Sequence, residues 1–176
     1  MSFLSSPSPV VLTKSQDEIF GSAYAAAVYI STVLKLPKTS KVYVIGMSGL
    51  EQELASEGIS FLGGTDPSDN PSLTPAPAML DLSTFRKDPN VGAVLCGLDT
   101  AINYAKLCKA FQYLHDDPLE DRVKFLATNV DSTFPVKDGL LPGSGALTSV
   151  LSKALGREPL SLGKPGKTMM DCIKAK

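Results

Sequence analysis

The sequence predicts an α/β fold built on a parallel sheet covered on both faces. Three observations carry that expectation: short, near-continuous apolar runs of strand length, stretches of helical periodicity that alternate with them, and glycines where the runs end. A sheet with one wet face would instead alternate apolar with polar residues along each strand.

Taken in order, Ser15 and Glu18 match a capping box, and Ile19, Ala23, Ala26, Ile30 and Val33 recur at helical spacing until Pro37. Residues 42–45 are a β-branched and aromatic run ending at Gly46; a second box, Ser48 with Glu51, then opens a short helix through Leu50 and Leu54 that stops at Gly58. Phe61 and Leu62 suggest a short strand before Gly63 and Gly64. Pro67, Pro71, Pro75, Pro77 and Pro89 make residues 65–90 an irregular excursion, with one extended piece near 79–82. Residues 91–96 read as a buried strand, and Tyr104, Cys108, Phe111 and Leu114 as one face of a helix ending before Pro118. Residues 123–127 form another strand. Leu147, Val150, Leu151, Ala154 and Leu155 make a helical stripe closed by Gly156, residues 160–162 a last short strand, and Pro165 opens a final helix.

Composition removes whole classes of function. The 176 residues are 43% hydrophobic and 20% charged, enough apolar surface to offset chain ordering, so wholesale disorder is excluded. Seventeen Lys plus Arg against eighteen Asp plus Glu leave a net charge of −1, which disfavours a general nucleic-acid binder. No run approaches the roughly 20 apolar residues of a membrane span, and residues 1–11 lack the charged start of a signal peptide. A cytoplasmic protein without membrane contact is the expectation. Cys96, Cys108 and Cys172 are odd in number and widely spaced, as small buried hydrophobes of a reducing compartment would be. His115 is the only histidine and sits at a polar helix end, so a His-rich zinc site is excluded and a Ser-His-Asp triad is disfavoured.

In a parallel sheet the working residues lie on loops that leave the carboxyl ends of the strands, here 46–49, 97–103, 128–145 and 163–168. SLGKPGKT at 161–168 comes close to a P-loop, but Ser161 replaces the first glycine and Pro165 removes an amide donor. Lys167 as a P-loop lysine, a glycine-rich turn with solvated lysines, and Lys164 as a phosphate-facing ammonium at a helix N-terminus are the three readings. In ATNVDSTFP at 127–135, Asp131 is either a turn former or a ligand contact. Asp99 in GLDTAINY is either the N-cap of the next helix or a polar group at the cleft. IGMSG at 45–49 is read as a tight turn rather than a dinucleotide fingerprint.

Taken together, EIFGSAYAAAVYI (18–30), KVYVIGMSGLEQEL (41–54), VLCGLDTAINYAKL (94–107), ATNVDSTFP with LPGSGAL (141–147), and GKPGKTMM (163–170) resemble the 4-nitrophenylphosphatase and phosphoglycolate phosphatase group of the haloacid dehalogenase superfamily. The resemblance runs from about residue 16 onward. It implies a Rossmann-like parallel sheet, a haloacid dehalogenase-like cap over 16–127 and part of the core over 128–176, after an irregular segment 1–15. It also implies hydrolysis of a small phosphorylated metabolite through a phospho-aspartate with Mg²⁺, and pairing of two copies through the cap. Lys164 matches the lysine that holds the phosphoryl group, while Leu98, Asn129, Asp131, Phe134 and Pro135 match positions where cap and hinge approach the substrate.

The departures from that family are chemical. Its nucleophile and general acid form a D-x-D pair and its magnesium acid a Gly-Asp pair; this sequence contains neither. A lysine alone attracts a phosphate, but covalent catalysis and charge compensation need the carboxylate and the metal. The expectation is therefore a truncated phosphatase polypeptide with no metal ligand of its own, binding no magnesium tightly and inactive alone. The alternatives are a non-catalytic cap module that binds a partner or small ligand, and a P-loop nucleotide binder.

Overall fold

The computed structural model describes residues 21–70, 85–115 and 122–163. Along the chain the elements are α1 (Ser22–Val28), β1 (Lys41–Ile45), α2 (Ser48–Ser56), β2 (Ser60–Gly63), a 3-10 turn (Pro67–Asp69), β3 (Val91–Cys96), α3 (Tyr104–His115), β4 (Lys124–Ala127), β5 (Thr133–Val136), β6 (Gly139–Pro142), α4 (Ser144–Leu155) and β7 (Leu160–Ser161). The capping box Ser15/Glu18, the extended piece 79–82, Cys172, the motif lysines Lys164 and Lys167, and the helix opened by Pro165 lie outside the described residues.

Five strands form one parallel sheet in the order β2-β1-β3-β4-β7, as the apolar runs predict. The sheet therefore crosses residue 127, with Leu160 paired to Leu126 and Ser161 to Ala127. Strand alternation sends Val42, Val44, Leu95 and Leu126 to one face, where Ala26, Ile30, Leu50 and Leu54 of the α1 and α2 side cover them. Tyr43, Ile45, Val94 and Phe125 point to the other face, against Ala110, Leu114 and Leu151 of α3 and α4. Each such side chain contributes roughly 1.5–3 kcal/mol when fully buried. A register shift after Lys41 skips Gly92, and it brings Val91 to the same face as Val94.

Helix α1 continues as a π-type turn (Tyr29–Val33) and ends before Pro37, where the sequence places the stop. The wider turn has a local cause. Ser31 and Thr32 hydroxyls both donate to the Val28 carbonyl, at 3.1 and 2.6 Å, and the Leu34 amide reaches back to Tyr29 instead. At the end of α2 the Gly58 amide bonds Ala55 and the Ile59 amide bonds Leu54, with Gly58 at φ 69°, a Schellman closure that confirms the predicted stop.

Several expectations are overturned by tertiary partners. Ser48 is the first residue of α2, and its N-cap, Met47, makes no side-chain cap bond. Glu51 does not reach back to close a capping box; its carboxylate accepts from the Thr65 amide at 2.6 Å and from the Thr65 hydroxyl. Asp99 is not the cap of α3. Asn103 takes that role, accepting from the Lys106 amide at 3.1 Å, while Asp99 is buried against Lys106 Nζ at 2.7 Å. That pair changes the phase of α3: the buried face is Lys106, Ala110, Tyr113 and Leu114, whereas Tyr104 is 73% exposed and Cys108 half-buried. Helix α4 rotates likewise. Leu151 is core but Val150 is exposed, and Ser144, Thr148 and Ser152 are buried, the Thr148 hydroxyl donating to the Ser144 carbonyl at 2.8 Å. The residues expected in the core instead face each other across an apolar groove of about 370 Å³ between α3 and α4.

A second buried carboxylate, Asp69, ties the turn after β2 to α3. Tyr43 donates its hydroxyl to Asp69 at 2.8 Å, Lys109 pairs with the same carboxylate, and Asn103 donates to the Asp69 carbonyl at 2.8 Å. Burial first, then the bond to Asp69, holds the Tyr43 phenol well above the usual tyrosine range. His115 ends α3 exposed and stacked on Phe111, as its position predicts. Among the described residues no helix is long and apolar enough to cross a membrane.

Two outcomes are expected in denaturant unfolding. Lys106→Met leaves the Asp99 charge buried without its partner and lowers stability by about 3–5 kcal/mol, whereas Asp99→Leu combined with Lys106→Met recovers most of that loss. At the surface, Lys41 lies 2.7 Å from Asp88 and, with the Asn90 amide, holds the Asp88 carboxyl below the usual range. Because the folded form is the stronger acid, the pair stabilises above the unfolded aspartate value and is lost as pH falls below about 4. Lys41→Met should flatten the acid limb of a stability-against-pH curve; an unchanged limb would remove the assignment.

Candidate functional site

The carboxyl ends of β1, β3 and β4 are zipped one residue past the strands themselves. The Gly97 amide bonds the Ile45 carbonyl at 2.8 Å, the Thr128 amide bonds Cys96 at 2.8 Å, and the Leu162 amide bonds Ala127 at 2.9 Å. Three loops therefore leave the sheet at one level and enclose a cleft. Its lining includes Ser22 at the start of α1, Met47 and Leu50 after β1, Leu98 after β3, and Thr128 and Asn129 after β4, around a volume of about 230 Å³.

Close backbone approach shapes this floor. A Cβ on Gly46 would meet Leu50 Cδ2 at 2.9 Å, and one on Gly163 would collide with the Thr128 carbonyl and lie 3.2 Å from Asn129 Cβ. Gly163 thus brings the end of the β7 segment against the β4 loop, and Lys164, the next residue, lies outside the described residues.

Asn129 is the best-held polar side chain at the cleft. Its Oδ1 accepts from the Ser144 hydroxyl at 2.6 Å and from the Asp131 amide at 3.1 Å, and the amino group is the end left to address an acceptor. The turn at 129–131 is therefore formed by Asn129, not by Asp131, whose carboxylate is exposed while its carbonyl accepts from the Gly145 amide at 3.0 Å. Leu98 is half-buried and fixed from behind: Asp99 Oδ1 accepts from the Ala101 amide at 2.8 Å, and Oδ2 pairs with Lys106. The charge of Asp99 is spent in that pair, so it is a scaffold of the Leu98 loop and not a group facing the cleft.

Of the residues singled out from sequence, Leu98 and Asn129 come together at the cleft, with Asp131 adjacent. Phe134 and Pro135 do not line it. They lie on β5, which pairs with β6 in an antiparallel hairpin, Phe134 opposite Leu141 and Pro135 opposite Leu140. Pro135 fits a two-stranded ribbon because no further strand needs its missing donor. The hairpin falls within the expected loop 128–145, because its strands carry two prolines and no alternation of a packed face. The sequence reading missed Ser22, Met47, Leu50 and Thr128. The strand-end rule points to the loops that hold Met47 and Thr128, but nothing marks Ser22, which only the packing of α1 brings in.

Among the described residues no three His, Cys, Asp or Glu side chains gather in a group able to hold a metal. These described residues do not fit magnesium. Cys96 lies under the cleft, fully buried, and burial pushes its thiol up to about 12, which makes it an inert core side chain.

No family profile matches the chain. It is 48% identical over 159 residues to the 4-nitrophenylphosphatase of Schizosaccharomyces pombe, covering 90% of this chain and 51% of that protein. It is 36% identical over 167 residues to phosphoglycolate phosphatase 2 of Arabidopsis thaliana, covering 94% and 52%. The p-nitrophenyl phosphatase of Archaeoglobus fulgidus superposes with a TM-score of 0.67 at 26% identity over 93% of this chain and 51% of that one. The glycerol phosphate phosphatase of Mycobacterium tuberculosis, solved in complex with magnesium, shares the fold with a TM-score of 0.69 at 24% identity, over 94% and 42%. The chain spans about half the length of the relatives it matches. Over that half, it is similar to the 4-nitrophenylphosphatases and phosphoglycolate phosphatases, and its fold matches that of p-nitrophenyl phosphatases.

Proposed function

We propose that this chain is the substrate-covering part of a phosphomonoester hydrolase of the 4-nitrophenyl phosphate and phosphoglycolate type, able to bind a phosphorylated metabolite but not to cleave it alone. The observation that carries this reading is the convergence of Leu98, Thr128 and Asn129 on one cleft at the strand ends. The phosphate oxygens accept from the Asn129 amino group and the Thr128 hydroxyl, and the Leu98 and Met47 side chains cover the organic part. Lys164, one peptide beyond Gly163, supplies the ammonium that balances the phosphate charge. Asp131, Phe134 and Pro135 reach the substrate from the hairpin side.

Turnover needs a carboxylate nucleophile and, in the complete family enzyme, Mg²⁺ to neutralise the phosphoryl charge. The absence of a D-x-D pair and of a Gly-Asp pair from these residues supports binding without turnover. The division that the resemblance implies, a cap over 16–127 and a partial core over 128–176, belongs to the same proposal, with Leu160 and Ser161 of β7 completing the cap's sheet across that boundary. So does pairing of two copies through the cap, supported by the exposed Tyr104 and the half-buried Cys108 and Phe111 on α3. A cytoplasmic location completes it, supported by the buried, reduced Cys96.

Purified chain given 4-nitrophenyl phosphate or phosphoglycolate with Mg²⁺ should release no phosphate above a protein-free control. Metal-dependent release by the pure chain would overturn the reading. Inorganic phosphate followed by backbone resonances should shift the amides of Leu98, Thr128 and Asn129, and Asn129→Leu should weaken that binding about tenfold. Shifts confined to other loops would displace the site.

A further inference from the structure

The cleft carries one soft, oxidisable atom. Met47 is 41% exposed, lines the cavity beside Leu50 and Leu98, and accepts a hydrogen bond at Sδ from the Thr100 hydroxyl at 3.5 Å. That contact joins the loop after β1 to the loop after β3, the two walls between which a ligand would enter. The other sulfurs among the described residues are placed differently: Cys96 is buried, and Cys108 lies half-buried in the α3–α4 groove. The remaining methionines, Met1, Met79, Met169 and Met170, fall outside the described residues.

We propose that Met47 is an oxidation site that controls the cleft, with a hydroperoxide as the oxidant. The inference rests on the proposed binding role of this cleft. The thioether lone pair attacks the distal peroxide oxygen, an S–O bond forms as the O–O bond breaks, and the proton of the transferred hydroxyl passes to the departing oxygen, which leaves as an alcohol, or as water when the oxidant is hydrogen peroxide; sulfur is oxidised by two electrons and the peroxide is reduced. The sulfoxide oxygen is a far stronger acceptor than the thioether, so the Thr100 hydroxyl turns from sulfur to oxygen and the link between the two walls is remade around the added atom. It also sets a polar atom among the Leu50 and Leu98 side chains in a cavity of only about 230 Å³. Binding weakens, and a methionine sulfoxide reductase reverses the change.

The test treats the full chain with hydrogen peroxide and follows the peptide containing Met47 by mass spectrometry, alongside the Leu98 and Thr100 amide resonances. Met47 should gain one oxygen within about threefold of the rate of free methionine, as an exposed thioether does, and both amides should shift. Inorganic phosphate affinity should then fall at least about threefold, and reductase treatment should restore it. Met47→Leu should abolish the amide shifts and the loss of affinity. Oxidation more than about tenfold slower than free methionine, oxidation with unmoved amides, or a response that survives Met47→Leu would each overturn the proposal. If untreated chain fails to bind phosphate, the binding reading falls, while the oxidation rate and amide shifts still decide whether Met47 is the sensitive atom.

Discussion

A parallel sheet buried on both faces has nowhere to place a polar side chain except at its ends. In this protein Val42 and Val44 face one layer of helices and Tyr43 and Ile45 the other, and β3 and β4 divide in the same way. The interior of the sheet is thereby closed to chemistry. Polar groups are pushed to the carboxyl edge, where strand amides and carbonyls run out of ladder partners and loops must take over. The extra rung made by Gly97, Thr128 and Leu162 sets the height of that edge, and the cleft is the space left above it.

The same constraint explains the two buried ion pairs. Asp99, in the loop that leads into α3, and Asp69, in the turn after β2, are both buried, and each is met by a lysine from that helix. Lys106 and Lys109 are spaced to reach two different loops from one helical face, with Asn103 capping the helix and bonding Asp69's carbonyl between them. Buried pairs of this kind add little net stability over apolar packing, but they tolerate few alternative geometries. Their effect here is to hold the Leu98 loop in one position relative to the sheet. The hairpin β5–β6 has the opposite character, since Leu140 and Leu141 are exposed and its contacts run chiefly along itself and to α4.

Much of the fold was legible in the residues. Strands 42–45, 91–96 and 160–162 coincide with or overlap β1, β3 and β7, and the stops at Pro37, Gly58 and Gly156 hold, because these signals depend on backbone chemistry that neighbours hardly change. Of the site, the strand-end rule points to the loops that hold Leu98 and Asn129, and the family resemblance singles out those two residues. The phase of α3 and α4 was misread for a specific reason. Lys106 counts as polar in any periodicity, yet Asp99 draws it into the core, and Thr148 hides its hydroxyl on its own helix, so the apolar stripes at Tyr104–Cys108–Phe111 and Val150–Ala154 look like buried faces in the sequence and are not.

By itself, then, the chain of residues determined the succession of strands and helices, the parallel sheet and the loops that bear the cleft, since apolar periodicity and glycine or proline stops act over a few neighbouring residues. Tertiary structure alone decided which side chains those loops present. Glu51 turned from a cap to Thr65, Asp99 from a cap to Lys106, and Asn129 to Ser144, each across a separation that local preference does not sense. A buried charge or amide takes the partner that burial brings within reach, and that partner is known only when the layers have packed.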